Sequence, residues 1–235
     1  AGILGEGLIS LLLPSDCSVC QRHLEASNLA FVCADCWSRI KWLKAPYRSR
    51  CSRPLPSSFR SIPTFLCPEC RKQNVYFSRA FVPALYEGVM KEVIHLLKYG
   101  KRRGIMHSLQ KIVRNYFDGF DFSLPYFDLA VPIPLHRKRL RERGFNQTEL
   151  IAKVVADQLQ IRLNKGNLKR TKATVTQTSL NRRERARNLR GAFAVERRDE
   201  FQEKDVLLVD DVYTTGTTLR EAAKVLKRVG VKEIY

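Results

Sequence analysis

Hydrophobic positions in the later part of the chain follow two periods, one typical of helices and one typical of buried strands. Helical spacing is clear at Val89, Val93 and Leu97, and Gly100 follows as a stop signal. Three further stretches share this period: IMHSLQKIVRNYF, NQTELIAKVVADQLQI and TTLREAAKVLKRVG. Strand signals occur in RAFVPALYEG, FDLAVPIPL and DVLLVDD. This alternation predicts an α/β fold over residues 76–235, with a parallel sheet flanked by helices.

Residues 1–75 show little periodicity and are punctuated by prolines and serines. A segment this poor in apolar surface needs a staple to hold its shape, and we expect Trp37 and Trp42 to supply its small core. All seven cysteines lie in it, and no internal repeat is evident. The sequence therefore predicts two parts, a cysteine-rich module at 1–75 and an α/β domain at 76–235.

Four of the cysteines form two CxxC pairs: Cys17, Cys20, Cys33 and Cys36. Each CxxC turn can place two thiolates on one ion, and two such turns complete a tetrahedron. A closed set of four thiolates favours structural zinc, with an iron–sulfur cluster or redox dithiols as the alternatives. The remaining cysteines are candidates for a second site: Cys51, Cys67 and Cys70. That set is incomplete, because Arg48 stands where a matching CxxC would need a cysteine.

The stretch VLLVDDVYTTGTTL, residues 206–219, carries a strong binding signal. An apolar strand delivers Asp210 and Asp211 to the carboxyl end of the sheet, where ligands bind in open α/β folds. A loop that can hold a phosphate then enters a helix, and its residues are Thr214, Thr215, Gly216, Thr217 and Thr218. The acids can accept hydrogen bonds from a sugar diol, and Mg²⁺ would lessen their mutual repulsion. The stretch therefore predicts a site for a ribose 5-phosphate.

Basic residues outnumber acidic ones by 42 to 23, which gives a formal net charge of +19. Such an excess favours polyanionic partners, namely nucleic acid, phosphorylated small molecules or an anionic membrane surface. The charges cluster in His136–Arg190 and Ser38–Lys72, whereas a charge that served solubility alone would be spread more evenly. Binding of an anion is therefore the favoured interpretation, with solubility as the alternative.

Three basic segments are candidate contacts for anions. In the segment after a predicted strand, Arg137, Lys138 and Arg143 are candidates for a phosphate-bearing ligand or a nucleic-acid backbone, and a solvated helix face is the alternative. The candidates for single-stranded DNA are Lys98, Lys101, Arg102, Arg103, Arg139, Arg141, Arg182, Arg183, Arg185 and Arg187. Tyr99 lies beside the first of these and suits base stacking, although a lone tyrosine is as often a core residue. The last four lie in a segment that has helical potential but many small polar residues, as a mobile loop would.

Membrane insertion is not indicated by the sequence. No apolar run approaches the ~20 residues that span a bilayer. The apolar patch Leu8–Leu13 lacks a basic leader and a small-residue cleavage site, so we interpret it as a short amphipathic helix and not as a signal peptide. These features predict a cytoplasmic protein.

Residues 206–219 resemble the phosphoribosyl pyrophosphate signature of type I phosphoribosyltransferases, which is an apolar strand, two acids and a Thr/Gly loop. Several stretches, in this order, resemble the ComF family of competence-associated proteins (ComF, ComFC and GntX-like): CSVC…CADC, LLKYGKRRG, VPIPLHRKRLRERGFNQ, RTKATVTQTSLNRRERARNLRGAF and LLVDDVYTTGTTL. The resemblance covers nearly the whole chain, and Arg48 is its departure from the family's third CxxC. It implies a type I phosphoribosyltransferase-like fold with an N-terminal module like a double zinc ribbon. The resemblance also implies that Arg137, Lys138 and Arg143 meet the pyrophosphate and that the segment with Arg182 and Arg183 belongs to a mobile hood.

The resemblance leads to two functional hypotheses. In the first, the chain handles incoming single-stranded DNA in natural transformation and binds phosphoribosyl pyrophosphate with Mg²⁺. Other cytoplasmic competence proteins, such as a helicase, would be its partners. In the second, it is an active phosphoribosyltransferase that transfers the sugar phosphate to an unknown nucleobase-like acceptor, with Asp210 and Asp211 as catalytic residues. Such a transfer needs no nucleophilic side chain, because positioning and charge stabilisation suffice.

Overall fold

The computed structural model describes residues 16–24, 31–56, 66, 68–72, 75–99, 105–119, 124–173 and 182–235. Its helices are α1 (Ala34–Ser38), α2 (Pro68–Lys72), α3 (Gly88–Tyr99), α4 (Ile105–Asp118), α5 (Arg137–Arg143), α6 (Gln147–Leu159), α7 (Arg182–Leu189) and α8 (Thr217–Arg228). Its strands are β1 (Leu129–Pro132), β2 (Arg162–Leu163), β3 (Leu168–Arg170), β4 (Phe193–Val195), β5 (Asp205–Val209) and β6 (Glu233–Ile234). Within these described ranges, no helix is long and apolar enough to cross a membrane.

The main sheet has the strand order β2-β1-β5-β6, and every neighbouring pair in it is parallel. Its two central strands are covered on both faces. Val206 and Leu208 of β5 pack in one cluster with α8, while Leu207 and Val209 pack in another with α4 and α6. Burial on both faces matches the apolar runs of these strands, Leu129–Pro132 in β1 and Val206–Val209 in β5. The predicted α/β fold is therefore confirmed.

A second, two-stranded sheet is formed by β3 and β4, which pair antiparallel. α7 lies between these strands in the chain, and both α7 and β4 pack against α8. Leu189 at the end of α7 and Phe193 of β4 are buried in the cluster that contains Leu226 of α8. Residues 174–181, which belong to the predicted mobile hood, lie outside the described residues.

The cysteine module packs directly on the helical layer of the α/β domain. Cys17 and Cys36 are buried in the same cluster as Leu97 of α3. Trp37 packs against this cluster, as predicted, whereas Trp42 is 41% exposed. The prediction that Trp42 belongs to the core was therefore wrong. The module buries its small apolar surface against α3 instead of around a tryptophan pair.

The stretch RAFVPALYEG, predicted to be a strand, connects the module to the domain. Ala84 forms an isolated bridge with Trp42, and the N–H of Leu43 donates to the carbonyl of Pro83 at 3.0 Å. Pro83 has no N–H to donate, so it interrupts any longer ladder at this point. The segment therefore remains extended and contacts the module through isolated backbone hydrogen bonds instead of a continuous strand pairing.

The module contains a structural repeat that is not evident in its sequence. Residues 16–23 and 47–54 form the same turn, whose first and last residues meet in an isolated antiparallel bridge. The second residue, Cys17 or Arg48, donates its N–H to the seventh residue at 2.8 and 3.0 Å, respectively. The carbonyl of this second residue accepts a hydrogen bond from the N–H of the sixth residue, again at 2.8 and 3.0 Å. That sixth residue has a positive φ in both turns, 61° and 50°. Backbone hydrogen bonds define this turn, which is why most side chains can differ.

Candidate functional site

The carboxyl ends of β1 and β5 lie side by side, because the strands are parallel and their last residues, Pro132 and Val209, are paired. Asp210 and Asp211 follow β5 directly, so both acids lie at the edge where a ligand is expected. The N–H of Asp211 donates to Oδ1 of Asp210 at 2.8 Å. This hydrogen bond orients the carboxylate of Asp210 toward the backbone of Asp211.

The pKa of Asp210 differs strongly from the ordinary value for an aspartate. Burial raises this pKa from 3.8 to about 7, and the negative charge of Asp211 adds to the rise. The N–H of Asp211 and the charges of Lys98 and Arg170 act in the opposite direction. Because Asp210 titrates near neutral pH, a cation or a hydroxyl donor that arrives here favours its ionised form.

Contacts from three helices, α3, α5 and α6, hold Asp211 directly or through a neighbour. Lys98 of α3 places its Nζ 3.0 Å from Oδ2 of Asp211, and these side chains are only 20% and 6% exposed. The Nε2 of Gln147, at the start of α6, donates to the same oxygen at 2.7 Å. Arg143 in turn donates to Oε1 of Gln147, and its guanidinium lies 5.4 Å from the ring centroid of Tyr99. Asp211 is therefore fixed before any ligand arrives.

Lys98 was predicted to bind DNA, and the structure places it inside the acid site. It lies four residues after Ile94, which is buried on the inner face of α3. Residues four apart share a helix face, so the sequence did contain a signal for this position. Gln147 was not singled out as a site residue, although it is the last residue of the stretch VPIPLHRKRLRERGFNQ.

The loop after the acids enters α8 at Gly216, whose φ of 70° and ψ of 10° are left-handed. A Cβ at this position would lie 2.8 Å from Cε2 of Tyr213, so glycine is required for two reasons. Arg220 donates to the carbonyl of Thr215 and to Oγ1 of Thr217, each at 3.2 Å. The two threonine hydroxyls are 2.8 Å apart. Gly216 has no side chain to cap α8, so its first N–H groups remain suited to an anion.

Acids, loop and cations line one pocket of about 240 Å³. Its basic lining residues are Lys98, Arg139, Arg143 and Arg170. Burial lowers the pKa of Arg143 and that of Arg170, while Asp211 and Asp210, respectively, oppose the change. Arg170 opens the stretch RTKATVTQTSLNRRERARNLRGAF, but it was not singled out as a site residue, because only the position of β3 beside the pocket brings it to the acids. The pocket therefore combines acceptors for hydroxyls with donors for phosphates.

A larger cavity of about 280 Å³ reaches the same acids from the side of α3 and α4, but its lining is mainly apolar. Met90, Ile94 and Leu109 are typical of that lining. Apolar walls cannot replace the hydration of a phosphate. The smaller polar pocket is therefore the candidate site for a charged ligand.

The other predicted anion contacts lie outside this pocket or outside the described residues. Arg137, Lys138 and Arg141 are exposed on α5 and do not line the pocket, and Arg187 is exposed on α7. Arg182, Arg183 and Arg185 lie on α7, but their side chains are outside the described set. Lys101, Arg102 and Arg103 are outside it altogether. The pocket thus contains one residue predicted to bind pyrophosphate, Arg143, and two predicted to bind DNA, Lys98 and Arg139.

A separate cluster in the N-terminal module gathers the four CxxC thiols, with all sulfur atoms within 4.8 Å of one another: Cys17, Cys20, Cys33 and Cys36. The Sγ of Cys17 is 3.8 Å from that of Cys36, and Arg39 donates to the latter at 2.8 Å. The N–H of Cys33 donates to Cys17 Sγ at 3.3 Å. Four sulfurs at this spacing with N–H donors around them fit a tetrahedral structural zinc ion.

Two of the remaining cysteines, Cys51 and Cys70, lie close to the threonine loop. Cys51 and Cys70 are buried together, and Leu66, Val75 and Tyr213 pack against them. Cys67, the third member of the suggested second site, lies outside the described residues. Because Tyr213 also contacts the Gly216 position, this part of the module supports the loop from behind.

Two domain families match the chain. Residues 148–235 match the family described as Phosphoribosyl transferase domain. Residues 8–71 match the family described as Double zinc ribbon domain. The first match contains Asp210, Asp211 and the threonine loop, but it begins after Lys98, Arg139 and Arg143.

Similar proteins cover nearly the whole chain. "Competence protein F" from Haemophilus influenzae is 30% identical over 93% of this chain and 93% of its own length. "DNA utilization protein YhgH" from Escherichia coli strain K12 is 30% identical over 95% of this chain and 96% of its own. "Competence protein ComFC" from Bacillus subtilis is 28% identical over 85% and 79%.

Among solved structures, the glutamine phosphoribosylpyrophosphate amidotransferase of B. subtilis, complexed with ADP and GMP, matches 55% of this chain. The chain spans 25% of that protein's length, at 18% identity and a TM-score of 0.36. A likeness this low carries no argument about fold or function.

Proposed function

Because this chain belongs to the ComF family of competence proteins, we propose that it acts in natural transformation through two neighbouring anion sites. The pocket would bind phosphoribosyl pyrophosphate with Mg²⁺, and the basic surface beside it would bind single-stranded DNA. The observation that carries the proposal is the pocket itself, where two carboxylates, a threonine loop and four cations meet. Relatives named for competence and DNA utilization support the biological half.

The two acids are assigned to the ribose diol. Carboxylate oxygens accept hydrogen bonds from neighbouring hydroxyls, and such charge-assisted bonds are among the stronger ones in proteins. Asp211 is already oriented by Lys98 and Gln147, so little ordering is needed on binding. Mg²⁺ bound with the ligand would supply positive charge that offsets the repulsion between Asp210 and Asp211.

The loop and the start of α8 are assigned to the 5-phosphate. The N–H groups at a helix N-terminus attract anions, and Thr215 and Thr217 add hydroxyl donors. Arg220 fixes both threonines, which keeps the loop closed around its ligand. The left-handed Gly216 lets the backbone approach the phosphate closely.

The pyrophosphate is assigned to the inner cations, Arg139 and Arg143 of α5 and Arg170 of β3. They line the same space as the acids and the threonine loop. Guanidinium groups match phosphate oxygens in bidentate geometry. In a transfer reaction they would also stabilise the charge that develops on the leaving pyrophosphate. The alternative function, an active phosphoribosyltransferase, would use this same arrangement.

Single-stranded DNA is assigned to the exposed face of α5, with Arg137, Lys138 and Arg141, and to the basic segments that the sequence singled out. These three side chains are exposed and do not line the pocket, so they remain available to a strand while the pocket is filled. The net charge of +19 supports attraction of a polyanion to this surface.

A calorimetric titration of phosphoribosyl pyrophosphate, with and without Mg²⁺, tests the pocket. We expect saturable binding that requires Mg²⁺ for full affinity, and weaker binding of ribose 5-phosphate because it lacks the pyrophosphate. Absence of saturable binding would refute the ligand assignment. Pyrophosphate exchange over a panel of nucleobases then separates a binding site from an active transferase, since only turnover supports the alternative.

A further inference from the structure

The second turn of the structural repeat, residues 47–54, carries an arginine at a metal-ligand position. Cys17 and Arg48 are each the second residue of the same hydrogen-bonded turn. The fifth residue is a cysteine in both turns, Cys20 in the first and Cys51 in the second. Arg48 is therefore the structural counterpart of a thiol in the four-cysteine cluster.

The correspondence continues in the second half of each unit. Cys33 directly precedes α1, and Cys67 directly precedes α2 in the chain. Both helices are five residues long, and each carries the next cysteine, Cys36 or Cys70. The module is thus built twice from a turn and a short helix, and the two copies differ at one ligand position.

An arginine cannot replace a thiolate as a zinc ligand. The guanidinium has five N–H donors and no acceptor, and it stays protonated in proteins. In Arg48 the Nε and Nη1 atoms are buried, so a fixed positive charge lies inside the second unit. A zinc ion in the second unit would therefore have only three cysteines available in the sequence of the repeat, Cys51, Cys67 and Cys70.

The cysteines of the second unit are buried, as Cys17 and Cys36 of the first unit are, but against different neighbours. Cys51 and Cys70 are 2% and 6% exposed and pack with Leu66, Val75 and Tyr213. Buried thiols in such a place behave as small apolar side chains. The backbone hydrogen bonds of the turn are the same as in the first unit, and they need no metal to form.

We infer that Arg48 removes the fourth ligand position of the second unit, so that the chain holds one zinc ion, at Cys17, Cys20, Cys33 and Cys36. The second unit keeps its fold through the backbone hydrogen bonds of its turn and the packing of Cys51 and Cys70 against Tyr213. This inference is independent of the proposed ligand of the pocket.

Zinc content per chain, measured by mass spectrometry of the purified protein, tests the inference. The wild type is expected to hold one zinc ion, and Arg48→Cys two, because that substitution completes the second CxxC. The matched control is Arg50→Cys, which adds a thiol to the same turn at the position of Val19, where the first unit has no ligand. This control is expected to hold one zinc ion.

A second variant keeps the test decisive if Arg48→Cys does not fold. Cys51→Ser in the wild-type background is expected to leave one zinc ion bound, since the inferred site does not use Cys51. Two zinc ions in the wild type, with only one in Cys51→Ser, would overturn the inference. A folded Arg48→Cys that still holds one ion would overturn the equivalence of the two turns.

Discussion

Helix α5 presents basic residues on two faces that lie in different environments. Arg139 and Arg143, four residues apart, line the pocket, whereas Arg137, Lys138 and Arg141 are exposed. The side chains have similar chemistry, so the difference lies in burial and in neighbours. A count of charges along the segment cannot separate these roles, but the helical period can.

The two faces should bind anions by different rules. Inside the pocket the effective dielectric constant is lower and the geometry is fixed, so a few hydrogen bonds give affinity and selectivity. On the exposed face water and salt screen each charge, so binding is additive, tolerant of sequence and sensitive to ionic strength. Variants that affect one kind of binding and spare the other can therefore test the comparison.

The largest effect is expected from Asp210→Asn with Asp211→Asn. Removing both charges while keeping side-chain size should weaken phosphoribosyl pyrophosphate binding by about 100-fold or more, because each charge-assisted hydrogen bond is worth about 1.5–3 kcal/mol. Calorimetry measures this decrease in affinity. Single-stranded DNA binding, followed by fluorescence anisotropy, should not fall, since only negative charge is removed. Unchanged affinity for the sugar phosphate would contradict the site.

The two faces of α5 are separated by a pair of matched variants. Arg139→Ala with Arg143→Ala should weaken phosphoribosyl pyrophosphate binding by about 10- to 100-fold. The exposed-face variant is Arg137→Ala with Lys138→Ala and Arg141→Ala, and it should leave that binding within about twofold. It should lower the slope of log affinity for DNA against log salt by about 2, because each phosphate neutralised on a single strand contributes ~0.7 to the slope. The reverse pattern would exchange the two assignments.

Gly216→Ala tests the loop on the pocket side. The new Cβ would lie 2.8 Å from the Tyr213 ring, and the alanine would have to adopt a φ of 70°. We expect a decrease of about 1–3 kcal/mol in the free energy of unfolding and about tenfold weaker ligand binding. Gly166→Ala is the control, because its φ of 84° is similar but nothing lies within 4 Å of the new Cβ. It should lower stability and keep ligand affinity.

The smallest effect is expected from pH. Ligand and Mg²⁺ favour ionised Asp210, whose pKa is raised to about 7, so affinity should rise up to about tenfold between about pH 6 and pH 8. Stability of the free protein should change in the opposite direction. The folded state holds a proton that the unfolded state releases near 3.8, so this contribution is full below 3.8 and is lost as pH rises through about 7.

Asp210→Asn is the control for both pH trends. Because asparagine does not titrate, both curves should flatten between about pH 6 and pH 8. Calorimetry gives the affinity trend, and thermal unfolding followed over the same range gives the stability trend. Curves that keep their slopes in Asp210→Asn would assign the titration to another group.

The parts of the molecule that the sequence revealed are contiguous ones. The strand, acids and loop of 206–219 form one segment, and the four-thiol cluster needs only two CxxC turns, so local spacing was enough. The rest of the pocket comes from distant segments. Lys98, Gln147 and Arg170 reach it from α3, α6 and β3, and only the three-dimensional packing of these elements makes them neighbours.

The structural repeat of the cysteine module could not be recognised from the sequence, because it too depends on the three-dimensional structure. Its turns are held by backbone hydrogen bonds and a left-handed residue at Gln21 or Ser52, which many side chains tolerate. With Arg48 in place of a cysteine, the most visible marker of the second copy is absent. Trp42 was misassigned because burial depends on the domain that covers the module, and periodicity within the module does not report it.

A crystal structure of the protein with phosphoribosyl pyrophosphate and Mg²⁺ tests the central assignment most directly. We expect the ribose diol to lie against Asp210 and Asp211, the 5-phosphate at Thr214–Thr218 and the pyrophosphate between Arg139 and Arg143. The exposed side chains of Arg137, Lys138 and Arg141 should not touch the ligand. A ligand bound on that exposed face, or a phosphate held away from the threonine loop, would contradict it.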